Sequence, residues 1–297
     1  MLLAVLGVSG ASAAQGEGAY FEIGSKGLYS SGLSEPYYAY KIDAAAGYSS
    51  ALFGVLLGYL RHQHYQLTDG SGSYAYADFN QARAEIACIP ADVLEFTFGA
   101  RYSAGDSSFR GVEYSGELSF DFDAFSIGGE YVSFRDEYAL NGRDFKSRRR
   151  LYSLDAAVTV SDTAWIDAGL DYDRIDCETT GAVYTRTAGR VGSGISASRS
   201  MVALFGVNYG RDSSDYTLFG ADIGIDFRPF RGIKASIFYL FTYYQTPSYL
   251  EIEGGGGHGG GAGSGYSRDV NPFMRSSLLG KSFFAHTLSA GASLLLR

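Results

Sequence analysis

The chain is 297 residues long, 46% hydrophobic and 15% aromatic with only 19% charged residues, a profile that excludes intrinsic disorder. Its net charge of -8, broken by a single basic run at Arg148 to Arg150, argues against a nucleic-acid partner. Two cysteines outside any Cys-x-x-Cys or Cys/His spacing exclude a disulfide framework or structural zinc, and the longest apolar run, Ala51 to Leu60, is too short for a membrane-spanning helix, which needs roughly 20 residues.

The chain opens on an apolar stretch ending in Ala11-Ser12-Ala13, a small-x-small pattern that signal peptidase cuts. Residues 1–14 are therefore expected to be a secretion signal, with the missing basic segment lying upstream of Met1, and residues 15–297 a single domain. The alternative, a buried N-terminal helix or strand, is disfavoured by Gly7 and Gly10 and by the lack of alternation.

From residue 18 onward apolar residues recur with period two, interrupted by turn residues. The alternation predicts strands over 18–30, 36–48, 51–66, 74–88, 93–103, 111–122, 124–138, 149–160, 164–178, 216–227, 233–246 and 283–296. In the fifth, Leu94, Phe96, Phe98, Ala100 and Tyr102 oppose Glu95, Thr97, Gly99 and Arg101. In the sixth, Val112, Tyr114, Leu118, Phe120 and Phe122 oppose Glu113, Ser115, Glu117, Ser119 and Asp121. Near the end, Phe219, Ala221, Ile223, Ile225 and Phe227 oppose Gly220, Asp222, Gly224 and Asp226. Each strand thus has one greasy and one wet face.

The connections are expected to alternate in length. Short ones fall at 48–50, 89–92, 122–123, 160–163 and 228–232. Longer polar or glycine-rich ones fall at 31–36, 67–73, 103–110, 138–148, 178–215 and 247–282. The segment Ser200 to Tyr209 is strand-like, but counting it as one strand would give an odd total. It is assigned to a long outer loop, with fourteen strands as the alternative. The tract Gly254 to Gly265 reads as a flexible surface loop, since no helix follows to make it a phosphate cradle.

An even number of amphipathic strands joined alternately by short turns and long loops resembles a bacterial outer-membrane β-barrel. The strand count is similar to the twelve-stranded group, which includes nucleoside and oligosaccharide channels, the omptin proteases and outer-membrane phospholipase A. This resemblance implies an all-β closed antiparallel transmembrane barrel with short periplasmic turns and long extracellular loops, located in the bacterial outer membrane. Its partners would be outer-membrane lipid, the barrel-assembly machinery and small polar solutes, and the molecule a monomer. The last strand departs from the pattern by ending in Leu296-Arg297 rather than in an aromatic residue, though Leu288, Ala290, Ala292, Leu294 and Leu296 still alternate. Aromatics near strand ends (Tyr20, Tyr48, Tyr102, Phe122, Tyr138, Tyr152, Phe227 and Tyr243) are expected to form interfacial girdles.

No catalytic residue emerges. The phospholipase pattern needs His-x-Ser-Asn and the omptin pattern Asp-x-His, and neither run occurs, so no enzyme is expected. His62 and His64 share a strand face without an assignable third ligand, and neither Asp121/Asp123 nor Asp171/Asp173 needs a cation to explain it; no metal or cofactor is expected. Cys88 and Cys177 fall at opposite strand ends and read as isolated thiols.

The wet faces share a sign. They carry Glu22, Asp43, Glu85, Glu95, Glu113, Glu117, Asp121, Glu130, Asp155, Asp167, Asp171, Asp173, Asp222 and Asp226 against Lys26, Lys41, Arg83, Arg101 and Lys234, fourteen acidic to five basic, with the basic residues mostly on the first five strands. Inward Gly24, Gly99, Gly169, Gly220, Gly224 and Gly291 leave space. These faces are expected to line a narrow water-filled pore whose field favours cations or neutral solutes. The competing readings are a lumen packed shut by ion pairs and a closed barrel that binds ligands or host surfaces through the loops at 178–215 and 247–282.

Overall fold

The computed structural model describes residues 17–31, 37–68, 74–106, 108–140, 142–179, 181, 183–213, 217–230, 232–245 and 283–296. The secretion-signal segment and the Gly254 to Gly265 tract lie outside them. Among these residues all regular structure is β, in fourteen strands: β1 (Gly18–Ser31), β2 (Tyr37–Ser49), β3 (Phe53–Thr68), β4 (Tyr74–Ala91), β5 (Leu94–Gly105), β6 (Arg110–Asp121), β7 (Phe125–Leu140), β8 (Arg143–Ser161), β9 (Ala164–Cys177), β10 (Val183–Ser198), β11 (Met201–Asp212), β12 (Thr217–Phe227), β13 (Ile233–Gln245) and β14 (Phe283–Leu296).

Every strand pairs antiparallel with its neighbour in sequence, and β14 pairs with β1 from Phe21↔Leu296 to Ser31↔His286, closing the barrel. An even strand number permits this antiparallel closure, and closure leaves no backbone edge without partners.

The fourteen-strand alternative is the one realised, and the expected loop at 178–215 is two strands. β10 and β11 are joined by the tight turn at Arg199 and Ser200 and paired from Arg186↔Asp212 to Ser198↔Met201. Two added strands keep the total even, and the short turn between them keeps the alternation of barrel ends. The first nine expected strands and the last three appear within a few residues of their expected limits, except that β8 begins at Arg143 rather than at 149.

Loop lengths differ from expectation too. One end of the barrel, the near end, holds Gly18, Leu296 and the turns after β2, β4, β6, β8, β10 and β12. The connections whose residues are all described, those after β2, β4, β6, β8 and β10, run to two or three residues. At the far end strands continue where loops were expected: β5 runs on to Gly105, and β7 and β8 together occupy most of 138–148. The β7–β8 hairpin closes through Gly142 at φ +75°, a conformation that costs a residue with a Cβ about 1 kcal/mol or more.

The apolar side of each strand is the outer surface. Phe98, Tyr114, Leu170, Val207 and Ile237 are each more than half exposed, and similar residues continue around the circumference. An apolar belt of this extent is stable against lipid and a liability in water. Most of the expected aromatic girdle is exposed on this surface (Tyr48, Tyr102, Phe122, Tyr152 and Phe227), but Tyr20 and Tyr138 are buried inside. Tyr20 shares its parity with Glu22 and Gly24, so the alternation itself turns it inward, and its ring covers Gly47 on β2.

Candidate functional site: the inner wall

The residues that alternate with the apolar belt form the inner wall. All the expected pore-lining residues project to it: Glu22 and Asp43 from β1 and β2; Arg83 and Glu85 from β4; Glu95 and Arg101 from β5; Glu113 and Glu117 from β6; Glu130 from β7; Asp155 from β8; Asp167, Asp171 and Asp173 from β9; and Asp222 and Asp226 from β12. The structure also puts Arg149, Arg186 and Arg190 on this wall. The expectation that the inward basic residues sit mostly on the first five strands is therefore overturned. Arg186 and Arg190 fell in the supposed loop. Arg149 shares its parity with Asp155, a signal that was present in the sequence.

These arginines organise the carboxylates around them. Arg149 is bidentate to Asp173, with Nε donating to Oδ1 at 2.9 Å and Nη2 to Oδ2 at 2.6 Å, and Arg186 approaches the same carboxylate at 3.9 Å. Asp173 is fully buried, and two guanidinium groups surround its carboxyl in place of the water it lost. Arg190 bridges Asp155 at 2.9 Å and Asp167 at 3.3 Å. Arg101 joins Glu85 at 3.2 Å and Glu113 at 2.9 Å, and Lys234 holds Asp226 at 3.2 Å. Asp171 accepts a hydrogen bond from the Ser153 hydroxyl at 2.7 Å. Carboxylates still outnumber cations on the inner face, and Asp222 is in no ion pair among the described residues.

The wall has two dissimilar halves. On β9 to β12 four inward glycines, Gly169, Gly192, Gly206 and Gly220, let Asp155, Asp167, Asp222 and Asn208 from adjacent strands lie flat across them. At the near end the same device serves aromatic rings, Trp165 over Gly194 and Phe238 over Gly224. Polar groups therefore hug the wall instead of crossing the lumen. On β3 to β8 the far end is filled. Ala77, Phe79, Tyr138 and Phe145 pack around Phe109, which the β5–β6 turn drops inward until it is 1% exposed, with Leu60 and Phe134 against them. β3 and β7, four strands apart in the barrel, approach within 8 Å between Cα atoms.

Beneath this apolar cluster lies an interior cavity of about 200 Å³. His62 is buried at its edge with its ring 5.0 Å from that of Phe79, and the side chain of His64 lies outside the described residues. Cys88 and Cys177 are both free thiols.

No protein-family model and no curated protein matches the chain. Solved structures do. The CymD monoaromatic hydrocarbon channel superposes with a TM-score of 0.60 at 9% identity, covering 98% of this chain and 92% of its own. OmpT, an outer-membrane protein of Vibrio cholerae, gives 0.52 at 11% identity over 94% and 97%. An anion-selective porin from Comamonas acidovorans gives 0.51 at 9% over 94% and 98%. The chain thus has the fold of bacterial outer-membrane β-barrels.

Proposed function

We propose that this barrel is a monomeric bacterial outer-membrane channel for passive diffusion of small polar solutes, without catalysis, and that its acidic lumen favours cations or neutral molecules. The observation that carries the reading is the glycine-lined half of the inner wall. There the carboxylates of Asp155, Asp167 and Asp222 lie over glycines, with Arg190 shared by the first two and Asp222 in no ion pair among the described residues, so the sector keeps a net negative charge. A low-dielectric wall around such charges focuses their field into the lumen, which raises the local concentration of cations and lowers that of anions. The channel descriptions of the structurally similar CymD and Comamonas proteins support a conduit, while the residues of this chain supply the sign. In the orientation that follows, the near end faces the periplasm and the far end, where β13 ends and β14 begins, the exterior.

The reading as a loop-borne adhesin is weakened, because one of its two loops is the β10–β11 hairpin. Liposome swelling tests the proposal. Vesicles carrying the refolded protein swell in isotonic solutions of small neutral sugars or small amine salts, and more slowly with carboxylate salts of similar size. No swelling in any solute contradicts a channel.

A further inference from the structure

The cavity under Phe109 is distinct in character from the acidic half of the lumen. Its upper wall is aromatic and aliphatic, from Phe79, Phe109 and Phe134. Its lower wall is polar, with the cations Lys41, Arg83, Arg101 and Arg149 outnumbering the one carboxylate, Glu113. Arg101 and Arg149 are already neutralised there, by Glu85 and Glu113 and by Asp173. Arg83 is not. It lies across Gly58 of β3, its Nε is buried without a hydrogen-bond partner, and it is in no ion pair among the described residues. A Cβ at position 58 would collide with the arginine stem, so glycine is what allows the guanidinium to lie there.

A partly desolvated guanidinium with no counter-charge is costly, and the ligand that relieves it best is a planar carboxylate taken in bidentate fashion. The rings opposite offer flat apolar surface that suits another ring packed edge to face or offset. Size agrees, since a cavity of roughly 150 Å³ lined by apolar side chains holds one benzene molecule. About 200 Å³ leaves room for a carboxylate beside the ring. The geometry points to a binding site for a monocyclic aromatic carboxylate, its ring among Phe79, Phe109 and Phe134 and its carboxylate on Arg83. This site rests on the channel reading only in that solutes must enter the lumen. It lies off the acidic half, so a bound carboxylate and a cation current coexist.

Benzoate titrated into the refolded protein in detergent micelles, followed by calorimetry, tests the assignment. Benzoate binds one to one. Acetate, which lacks the ring, and benzylammonium, which reverses the charge, bind at least tenfold more weakly. R83Q weakens benzoate at least tenfold, and R83K, which keeps the charge but loses the fork, falls between, each variant first being shown to retain the strand signal and heat-resistant gel mobility of the folded barrel. No benzoate binding, equal affinity for acetate, or wild-type affinity in R83Q overturns the site. The same samples are placed in planar bilayers. A conducting barrel that ignores benzoate overturns the site and leaves the channel standing, while a silent barrel that binds benzoate overturns the channel and leaves the site.

Discussion

The two halves of the inner wall solve the same problem, how to fill the inside of a closed sheet, in opposite ways. The β3 to β8 half fills it with side chains: Phe109, Phe79, Tyr138 and Phe145 form a buried apolar cluster inside a membrane barrel whose apolar band already faces outward. The β9 to β12 half uses glycines as recesses into which polar side chains from adjacent strands fold. The difference teaches that one barrel can build two sectors of its inner wall by different means. In the filled half side chains pack on one another; in the thin half polar side chains lie against glycine backbone.

If that division is right, substitutions in the two halves should differ in what they disturb. The largest effect is expected where the halves meet. Asp173→Ala removes the buried carboxylate that Arg149 and Arg186 both reach, and breaking a buried pair of this kind costs about 3–5 kcal/mol. Urea unfolding of the vesicle-embedded barrel measures it, and a midpoint unchanged from wild type would mean that the cluster is not buried as described.

Phe109→Ala, in the filled half, is expected to cost about 3 kcal/mol through the lost contacts and the cavity left behind. It leaves the sign of ion selectivity alone. A small loss of stability with a large change in conductance would make this loop a gate and break the comparison.

In the thin half, Gly220→Val drives a side chain into Asn208, and overpacking of this sort costs about 1–3 kcal/mol. Single-channel conductance is expected to fall with it. Asp222→Asn should be nearly neutral for stability, within about 0.5 kcal/mol, because the carboxylate is in no ion pair among the described residues. Its effect is expected in the reversal potential, which moves toward zero. A stability loss as large as that of Asp173→Ala would place Asp222 among the structural charges instead.

How much of this was readable from the residues follows from side-chain contrast. β5, β6 and β12 are legible because bulky apolar and charged residues alternate without interruption. β10 is not: its outer face reads Val183, Thr185, Thr187, Gly189, Val191, Ser193, Ile195, with too few large apolar groups to separate it from a polar loop, and its turn at Arg199 and Ser200 has neither glycine nor proline. β11 was recognisable as strand-like, but with β10 hidden it made the count odd. The loss carried into the site, since Arg186 and Arg190 vanished with β10 and left the later strands looking more purely acidic than they are. Arg149 and Tyr20 are a different case, since counting by twos from Asp155 and Glu22 puts both inside. What periodicity does not contain is proximity across the lumen. The approach of β3 to β7 and the inward drop of Phe109 depend on barrel shape, and no local pattern encodes them.

The account stands most directly on the proposed charge of the glycine-lined half of the inner wall. The reversal potential of the refolded protein in a planar bilayer, under a salt gradient of a simple electrolyte, reads that charge. A potential of the sign set by cations, reduced in D222N, is the predicted result; an anion-selective potential, or no conductance from a barrel shown to be folded, contradicts it.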